Sequence, residues 1–393
     1  MKILFLSSNS PFPIKDGHAM RTYNILTQLA KRNEVHFLSC FLTDEEEKKF
    51  DQIKKICVSA RGFRLNLTRS RLHMFIALVK NIFSPRPFVA EKYFCNEMVL
   101  EIKRILKHED IDVVHIDILP MMIYAPLFKG YPKVLVEHNV ESLLQEKRVK
   151  FARNPFSRLF WHMQFKKLSA FEREQIGSVT CCAAVSFQEK ELLSEMNNKA
   201  RIEIVPNGVD THYFQPNAVV QNDSLVFVGG LNWFPNSDGM SFFIEKIYPV
   251  IAKLLGCIKV IVIGKTNNKF KYSGMIEQVG FVDDVRPYVN SSKVFIVPLR
   301  IGGGTRLKIL DAMAMGKAIV STSIGCEGIE AINNRHIIIE DDPLKFANAV
   351  IELLRDDRKR KTIGENARKL AEEKYDWEII GRKMNEIYET IIR

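Results

Sequence analysis

Short apolar runs alternate with longer amphipathic stretches along the first half of the chain. Strands of a parallel sheet give such runs because both of their faces are buried, whereas the stretches between them have the period of helices. The pattern predicts five strands: Lys2–Ser7, Glu34–Phe41, Val113–Asp117, Lys133–Glu137 and Val179–Val185. It is typical of a parallel sheet wrapped by helices.

The same pattern of apolar runs and amphipathic stretches begins again after a polar stretch that follows Arg201–Asp210. A second set of strands is predicted at Leu225–Gly229, Lys259–Gly264, Val294–Leu299, Ala318–Thr322 and Ile337–Glu340. Helices are predicted at Asn236–Leu255 and Thr305–Met315. The fold class is therefore α/β, with two Rossmann-like, doubly wound domains. Because ligands of such sheets bind at the carboxyl ends of the strands, we expect the two domains to face each other across a cleft.

The chain has 393 residues, which suits two domains at roughly 100–200 residues each. We expect a first domain over residues 1–200, a second over 201–375, and a C-terminal helix over 376–393 that returns toward the first. Two helix starts are recognisable as capping boxes, at Thr43 with Glu46 and at Ser186 with Glu189.

The charge balance favours an anionic partner. Lys and Arg number 57 against 46 Asp and Glu, a formal net charge of +11, which suits nucleic acid, anionic lipid or a phosphorylated substrate without choosing among them. No compact basic-aromatic motif supports nucleic acid, so we do not expect it as a partner. The seven cysteines show neither a Cys-x-x-Cys pair nor zinc-ligand spacing, and we expect them to be reduced core residues.

Two segments, 61–94 and 151–174, depart from the alternation of apolar strands and amphipathic helices. Both mix aromatic with basic residues. These residues are Arg69, Arg71, Phe75, Ile76, Lys80 and Phe83 in the first, and Phe156, Arg158, Phe160, Trp161, Phe165, Lys166 and Lys167 in the second. A basic amphipathic helix can lie on an anionic membrane surface. The alternative is a long helix that packs on its own domain and exposes a solvated basic face.

The N-terminal apolar run spans only Ile3 to Leu6, too short for the core of a signal peptide. No later stretch approaches the ~18 apolar residues of a membrane span. We therefore expect a cytoplasmic protein. The basic segments leave open a peripheral attachment to the inner face of the cytoplasmic membrane.

The most informative stretch runs from a buried strand at Pro298 through Gly302, Gly303, Gly304 and Thr305 into a helix. Glycines in such a turn let a phosphate approach the backbone, and the free amides of a helix start attract anions. This stretch is the predicted phosphate site.

Three charged side chains follow the glycines. Arg306 is expected in the first helical turn, with Lys308 and Asp311 on the same face. The two cations can neutralise phosphates, and the carboxylate can accept hydrogen bonds from ribose hydroxyls. Such a site requires no metal, and Asp284 in the pair Asp283-Asp284 is better explained as a helix cap than as a metal ligand.

This stretch resembles the donor-binding motif of the family 4 (group 1) glycosyltransferases, whose fold is called GT-B. Asp311 matches the second acid of their motif, and the first would fall at Gly303. Backbone amides of Gly303 and Gly304 could contact the donor sugar in its place. The resemblance implies retaining transfer of a sugar from a nucleotide-diphosphate sugar, with residues 201–375 binding the donor and residues 1–200 on the acceptor side.

Further segments carry the same resemblance. Val205–Asp210, with Asn207, is similar to the family's crossing between domains, and Phe227–Gly230 resembles the first strand and turn of its donor domain, with Gly229 and Gly230. Gly302–Lys308 together with Asn232–Asn236 resembles a bacterial subgroup that builds cell-surface polysaccharides. The implied acceptor is a glycan or a lipid-linked sugar.

In the first half, Asp16–Thr22 resembles the family's glycine loop near the donor phosphates, although only Gly17 is present and His18 takes the place of the other glycine. His138 follows a strand at the position where the family has a histidine that contacts the transferred sugar. With Arg306 and Lys308 it completes the predicted catalytic set. His115 lies inside a strand, and we expect it to be a core residue.

Glu327 follows the strand that ends at Thr322 and either contacts ligand or caps a helix. A nicotinamide-dependent oxidoreductase is disfavoured because Gly-x-Gly-x-x-Gly does not follow the first strand. A periplasmic solute-binding protein is disfavoured because it would need an export signal, and the N-terminal apolar run is too short for one. The remaining alternative to a transferase is a nucleotide-sugar epimerase or hydrolase, or a non-catalytic sugar-nucleotide-binding protein of the same fold.

Overall fold

The chain divides into two compact units, Met1–Pro206 with Ile380–Arg393, and Asn207–Ile379. The structure, a computed structural model, describes residues 1–65, 71–151, 154–217, 219, 221–266, 275–302 and 304–392. Arg69 and Gly303 lie outside the described residues. No helix in these ranges is both long enough and apolar enough to span a bilayer.

The first unit is built on a seven-stranded sheet with the order β3-β2-β1-β4-β5-β6-β7, and every pair of neighbours is parallel. The strands are β1 Lys2–Ser7, β2 Glu34–Phe41, β3 Ser59–Arg64, β4 Val113–Ile116, β5 Lys133–Glu137, β6 Cys181–Ala184 and β7 Ile202–Ile204. The five predicted strands are confirmed. β3 and β7 were not predicted because these edge strands are only partly buried and lack a continuous apolar run.

The helices of this part of the chain begin largely where capping chemistry predicts. They are α1 Gly17–Ala30, α2 Asp44–Lys48, α3 Asp51–Lys54, α4 Arg71–Ile82, α5 Phe88–Glu91, α6 Asn96–His108, α7 Glu141–Phe151, α8 Pro155–Ser178 and α9 Phe187–Met196. Thr43 and Glu46 form the predicted capping box of α2. Ser186 accepts from the backbone N–H of Glu189 at the start of α9, which is the N-cap half of the predicted capping box.

The second unit has a six-stranded parallel sheet with the order β10-β9-β8-β11-β12-β13. Its strands are β8 Asn222–Val228, β9 Lys259–Ile263, β10 Ile276–Gly280, β11 Ser292–Val297, β12 Ala318–Ser321 and β13 Ile338–Ile339. Five of them match predicted strands within a few residues. β10 was missed because its sequence, Ile-Glu-Gln-Val-Gly, is a partly buried edge strand with polar residues at its centre.

The helices that follow are α10 Phe234–Phe242, α11 Tyr248–Leu255, α12 Arg286–Ser291, α13 Leu307–Ala314, α14 Pro343–Arg355, α15 Asp357–Leu370 and α16 Trp377–Ile392. The single helix predicted over Asn236–Leu255 is divided by a π turn at Phe243–Ile247. Pro249 stands just after this turn and cannot donate a helical hydrogen bond. Two parallel sheets with flanking helices confirm the α/β class with two doubly wound units.

Each sheet has a point where the chain reverses the direction in which it adds strands. In the first unit β1 lies between β2 and β4, and in the second β8 lies between β9 and β11. Successive connections leave on opposite faces at such a point, so a crevice opens at the carboxyl ends of the strands. The candidate ligand sites therefore lie beyond β1 and β4, and beyond β8 and β11.

Candidate active site

A buried carboxylate marks the crevice of the first unit. Asp117 directly follows β4 and is only 1% exposed. Its Oδ2 accepts hydrogen bonds from Thr22 Oγ1 of α1 at 2.5 Å and from Ser7 Oγ at the end of β1 at 3.3 Å. The carboxylate thus joins the three elements that border the crevice.

Three imidazole rings surround this carboxylate. The Nε2 atoms of His138 and His115 lie 3.3 and 3.5 Å from Asp117 Oδ1, and Nε2 of His18 lies 3.6 Å from Oδ2. Burial alone would raise the pKa of Asp117, but the three histidines outweigh it and hold the pKa below its usual range. Burial, and then the neighbouring His138, lower the pKa of His18 to about 4. At neutral pH the cluster therefore holds an ionised Asp117 and a neutral His18.

His18, Asp117 and His138 each offer a ligand atom, and these atoms lie within 4.8 Å of one another. A metal ion held there would compete with Thr22, Ser7 and His138 for the Asp117 oxygens. In the second unit, Asp284 accepts from the backbone N–H and the guanidinium of Arg286 at the start of α12. The N-cap of α12 is Val285, without a side-chain cap hydrogen bond, so the prediction that Asp284 is the cap itself was wrong by one residue, and the Asp284 carboxylate is occupied by Arg286.

His115 has the surroundings of a core residue. It is fully buried, its ring stacks at 3.8 Å on Phe5, and its Nδ1 lies 2.5 Å from the Tyr388 hydroxyl of α16. The expectation of a core histidine is confirmed. Because its Nε2 faces Asp117, it also supports that carboxylate from the core side.

Gly17 is the exposed first residue of α1. The side chain that reaches the cluster is that of the next residue, His18, whose ring lies 4.4 Å from the ring of His138. Gly17 and His138 were predicted site residues, whereas no function was predicted for Asp117. The signal that could have found it is an acid at the carboxyl end of a buried strand.

In the second unit, the loops after β8 and β11 meet at Lys308. Its Nζ donates to Asn236 Oδ1 at 3.1 Å and lies 4.3 Å from the centre of the Phe227 ring. Asn236 Nδ2 in turn donates to the carbonyl of Gly230 at 3.0 Å. A side chain at Gly229, whose φ is 157°, would begin 2.7 Å from Lys308 Nζ. The turn needs glycine both for its backbone and for this close approach.

Burial shifts the pKa values of Arg306, Lys308 and Asp311 in this site. It lowers the pKa of Lys308 to about 7, with the positive Arg306 adding to the effect. It also lowers the pKa of Arg306, which the negative charge of Glu327 opposes, and it raises the pKa of Asp311 to about 7. Groups shifted by burial near a crevice are typical of functional sites, because a bound ligand supplies the missing countercharge.

The start of α13 differs from the prediction. Arg306 has an extended backbone, with φ −87° and ψ 96°, and precedes the helix, which begins at Leu307. Gly302 and Gly304 have φ values of 145° and 75°, conformations that a helix does not tolerate. The prediction that Arg306 lies in the first helical turn was therefore wrong. Arg306 provides no capping hydrogen bond, so the first-turn amides have no side-chain cap.

The other predicted residues are distributed as follows. Gly302 packs against the Arg306 guanidinium. The Thr305 hydroxyl is buried without a hydrogen-bond partner in the described part of the chain. Asn207 lies in a different loop, beside Gly208, which packs on Trp377. The second unit thus gathers Gly229, Gly302, Arg306, Lys308 and Glu327 in one region. Asp311 lies one helical turn beyond Lys308, and Asn207 lies elsewhere.

Two family models match the chain. Residues 15–213 match the model described as Glycosyltransferase Family 4. Residues 222–356 match the model described as Glycosyl transferases group 1. The matched ranges include the histidine cluster in the first unit and the Lys308 region in the second.

Curated relatives are similar over most or part of their length. A 44.6 kDa protein in the cps region of Klebsiella pneumoniae is 21% identical, with 95% of this chain and 96% of the relative covered. The capsular polysaccharide biosynthesis glycosyltransferase CapM of Staphylococcus aureus is 25% identical over 44% of this chain and 48% of its own. A lipopolysaccharide 1,2-N-acetylglucosaminetransferase of Salmonella typhimurium is 23% identical over 64% and 71%.

Solved structures share the architecture. Sucrose-phosphate synthase from Thermosynechococcus elongatus superposes with a TM-score of 0.70 at 15% identity, covering 100% of this chain and 99% of its own. HepE of Anabaena, in complex with UDP, gives a TM-score of 0.67 at 13% identity, with 99% and 100% covered. The chain therefore belongs to Glycosyltransferase Family 4 and is a glycosyltransferase with the two Rossmann-like domains of the GT-B fold.

Proposed function

We propose that this glycosyltransferase moves a sugar, with retention of configuration, from a nucleotide-diphosphate sugar to a glycan or lipid-linked acceptor in cell-surface polysaccharide synthesis. The observation that carries the proposal is the pair of cations, Arg306 and Lys308, at the start of α13 in the crevice beyond β8 and β11. Two cations beside glycine turns suit a diphosphate. The second unit is then the donor side and the first unit the acceptor side.

Similar proteins support the donor and the setting. The HepE structures hold UDP and UDP-glucose. The names of the Staphylococcus and Salmonella relatives place those proteins in capsule and lipopolysaccharide synthesis. A diphosphate neutralised by Arg306 and Lys308 needs no metal ion, so we propose a metal-independent reaction.

In this reaction the bond between the anomeric carbon and the diphosphate oxygen breaks, and a bond to the acceptor oxygen forms. The proton of the acceptor hydroxyl leaves with the nucleoside diphosphate. Arg306 and Lys308 stabilise the charge that develops on the leaving diphosphate, which is the largest contribution that this site can make. Retention follows if the acceptor attacks from the face that the diphosphate vacates.

His138 is proposed to contact the transferred sugar, with its Nε2 held by Asp117 at 3.3 Å. This anchor fixes the ring at the carboxyl end of β5. Asp117 is a positioning residue, because it acts through His138 and through the start of α1.

The acceptor is proposed to be reached at an anionic membrane surface. Phe75, Phe83 and Phe156 of the two basic-aromatic segments are 62%, 87% and 86% exposed. With the net charge of +11, such residues suit reversible attachment to anionic lipid. Trp161 is only partly exposed and packs against Phe160, so the segments combine packing within the unit with exposed aromatic residues.

The test is a calorimetric screen of uridine, guanosine and adenosine diphosphate sugars in the presence of a chelator. One donor should bind, and the variants Arg306→Ala and Lys308→Ala should each weaken it, whereas Lys345→Ala, an exposed lysine on α14, should not. If the donor is consumed at full rate without any acceptor, the protein is an epimerase or hydrolase. The anomeric configuration of a transfer product decides retention.

A further inference from the structure

A cavity of about 370 Å³ lies in the first unit between α5, α7 and α8, within the size range of small-molecule sites. One face of α7 lines it with Glu141, Leu144, Gln145 and Arg148. The opposite wall comes from α8 with Phe160, Trp161, Gln164 and Leu168. Glu141 stands only three residues after His138, so this end of the cavity wall is close in the chain to the residue proposed to contact the transferred sugar.

Two cations line the cavity, and both act on the one acid of its wall, Glu141, whose pKa they lower against the effect of burial. Lys92 Nζ lies 4.5 Å from the centre of the Tyr93 ring, and Arg148 Cζ lies 5.7 Å from that of Trp161. Neither forms an ion pair with a carboxylate among the described residues. An aromatic ring attracts a cation without neutralising it, so both positive charges remain available to an anion.

The single acid on the wall opposes an anion only weakly. Burial, and then the negative Glu172, raise the pKa of Glu141 to about 7. The Glu172 carboxylate itself accepts from the backbone N–H groups of Glu141 and Ser142 at the start of α7. Lys92 and Arg148 therefore outweigh Glu141 at neutral pH.

Apart from Gln145 and Gln164, the rest of the wall is apolar, and two of the helices that line it also carry exposed apolar side chains. Leu78 of α4 borders the cavity, and Phe75 and Val79 on the same helix are 62% and 41% exposed. Phe156 lies one turn before Phe160 on α8 and is 86% exposed. An apolar chain that leaves the cavity would find these side chains at its exit.

We propose that this cavity binds the phosphate and the first part of the apolar chain of a single anionic lipid, which is the carrier end of the acceptor. The proposal rests on the proposed function. The charge complementarity of Lys92 and Arg148 selects the phosphate, and Phe88, Phe160 and Trp161 contact the chain. A neutral soluble sugar would leave Lys92 and Arg148 without an anion, and inorganic phosphate would leave the aromatic wall without a partner.

The probe is dodecyl phosphate at concentrations at which it is monomeric, titrated by calorimetry into the full chain. Dodecyl phosphate should bind at least about tenfold more tightly than inorganic phosphate or dodecyltrimethylammonium. The double variant Lys92→Gln, Arg148→Gln should lose at least about tenfold in affinity. Lys147→Gln is the matched control, because Lys147 is exposed on the same helix and does not line the cavity. Leu144→Trp fills the cavity but keeps both cations. This variant should abolish the binding of dodecyl phosphate.

Equal affinity in the wild type and the double variant would overturn the proposal, as would equal binding of the cationic amphiphile. Inorganic phosphate binding as tightly as dodecyl phosphate would overturn it too, since the chain would then contribute nothing. Donor affinity is measured on the same preparations. If donor binds normally and dodecyl phosphate does not, only the lipid site is wrong; if dodecyl phosphate binds and no nucleotide sugar does, the proposed function is wrong. Melting temperatures identify a variant that fails to fold. If either the double variant or Leu144→Trp does so, the other one tests the proposal.

Discussion

The ammonium group of Lys308 lies 3.1 Å from Oδ1 of Asn236, 72 residues away in the chain. The contact joins α10 and α13, which follow the neighbouring strands β8 and β11. It holds the ammonium against the glycine turn where a diphosphate is proposed to bind. Burial and the positive Arg306 lower the pKa of this lysine to about 7. Donor binding at this site should therefore depend on pH near neutrality.

Donor affinity should fall as the pH rises above about 7. A bound diphosphate raises the pKa of Lys308, so a deprotonated lysine must take up a proton when donor binds. The dissociation constant of a nucleotide-diphosphate sugar should therefore increase by up to about tenfold per pH unit between pH 7 and 9, as measured by calorimetry. Lys308→Met should flatten this profile, and Lys345→Ala should retain it. An unchanged slope in Lys308→Met would show that another group is responsible.

Asp311→Asn should stabilise the free protein while it weakens nucleotide binding. Burial raises the pKa of Asp311 from 3.8 to about 7, so ionisation costs stability as the pH rises through that interval. At pH 8 the variant should melt at least about 2 °C higher. If Asp311 bonds the ribose, the wild type should prefer the ribonucleotide donor to its deoxyribose analogue, and Asp311→Asn should lose that preference. A variant that keeps the preference would place the ribose elsewhere.

Gly229→Ala tests the close approach of the turn to Lys308. A Cβ there would lie 2.7 Å from Lys308 Nζ and 2.8 Å from Asn236 Nδ2, so the substitution should displace both side chains and weaken donor binding at least about tenfold. Gly256→Ala is the matched control. Gly256 also has a positive φ, of 74°, but its Cβ would meet nothing within 4 Å, so it adds backbone strain without touching the site. Equal donor affinity in both variants would contradict the proposed role of Gly229.

Asp117→Asn should lower the transfer rate with little effect on donor binding. The substitution keeps the shape of the side chain but removes the charge that holds His138 and His18. Loss of a carboxylate that orients a metal-ligating histidine costs roughly 10–100-fold in metal sites, and we expect a fall of that order in kcat. Asp112→Asn, which lies just before β4 and bonds the Lys2 backbone N–H, should leave kcat unchanged. An equal loss in both variants would indicate a general effect on the sheet.

The strands of both sheets could be predicted because buried parallel strands are continuous apolar runs, and the missed strands β3, β7 and β10 are edges with polar or very short sequences. The glycines and cations after β11 could also be found, because they are contiguous. The start of α13 could not be predicted. It depends on the positive φ values of Gly302 and Gly304, and the spacing of apolar residues does not reveal backbone angles.

The histidine cluster was harder to predict because His18, Asp117 and His138 come from three separate connections. Their meeting depends on β4 pairing with β1 and on β5 pairing with β4. Apolar patterning identifies strands without giving their order in the sheet. Asp117 was assigned to the end of a strand, and its position at the strand-order reversal became evident only from the topology.

Attachment to anionic membranes should depend on the exposed aromatic residues of the two basic-aromatic segments. Each Lys or Arg near an anionic surface contributes about 1 kcal/mol, so a few suffice for reversible binding, and Phe83 and Phe156 are 87% and 86% exposed. Wild-type protein should sediment with anionic but not with neutral liposomes, and less so at high salt. The variant Phe83→Ser, Phe156→Ser should remain in the supernatant. Leu100→Ser is the control, since Leu100 on α6 is 68% exposed but lies outside both segments. If wild-type protein stays in the supernatant with anionic vesicles at low salt, the acceptor is a soluble sugar and the proposed membrane setting is wrong.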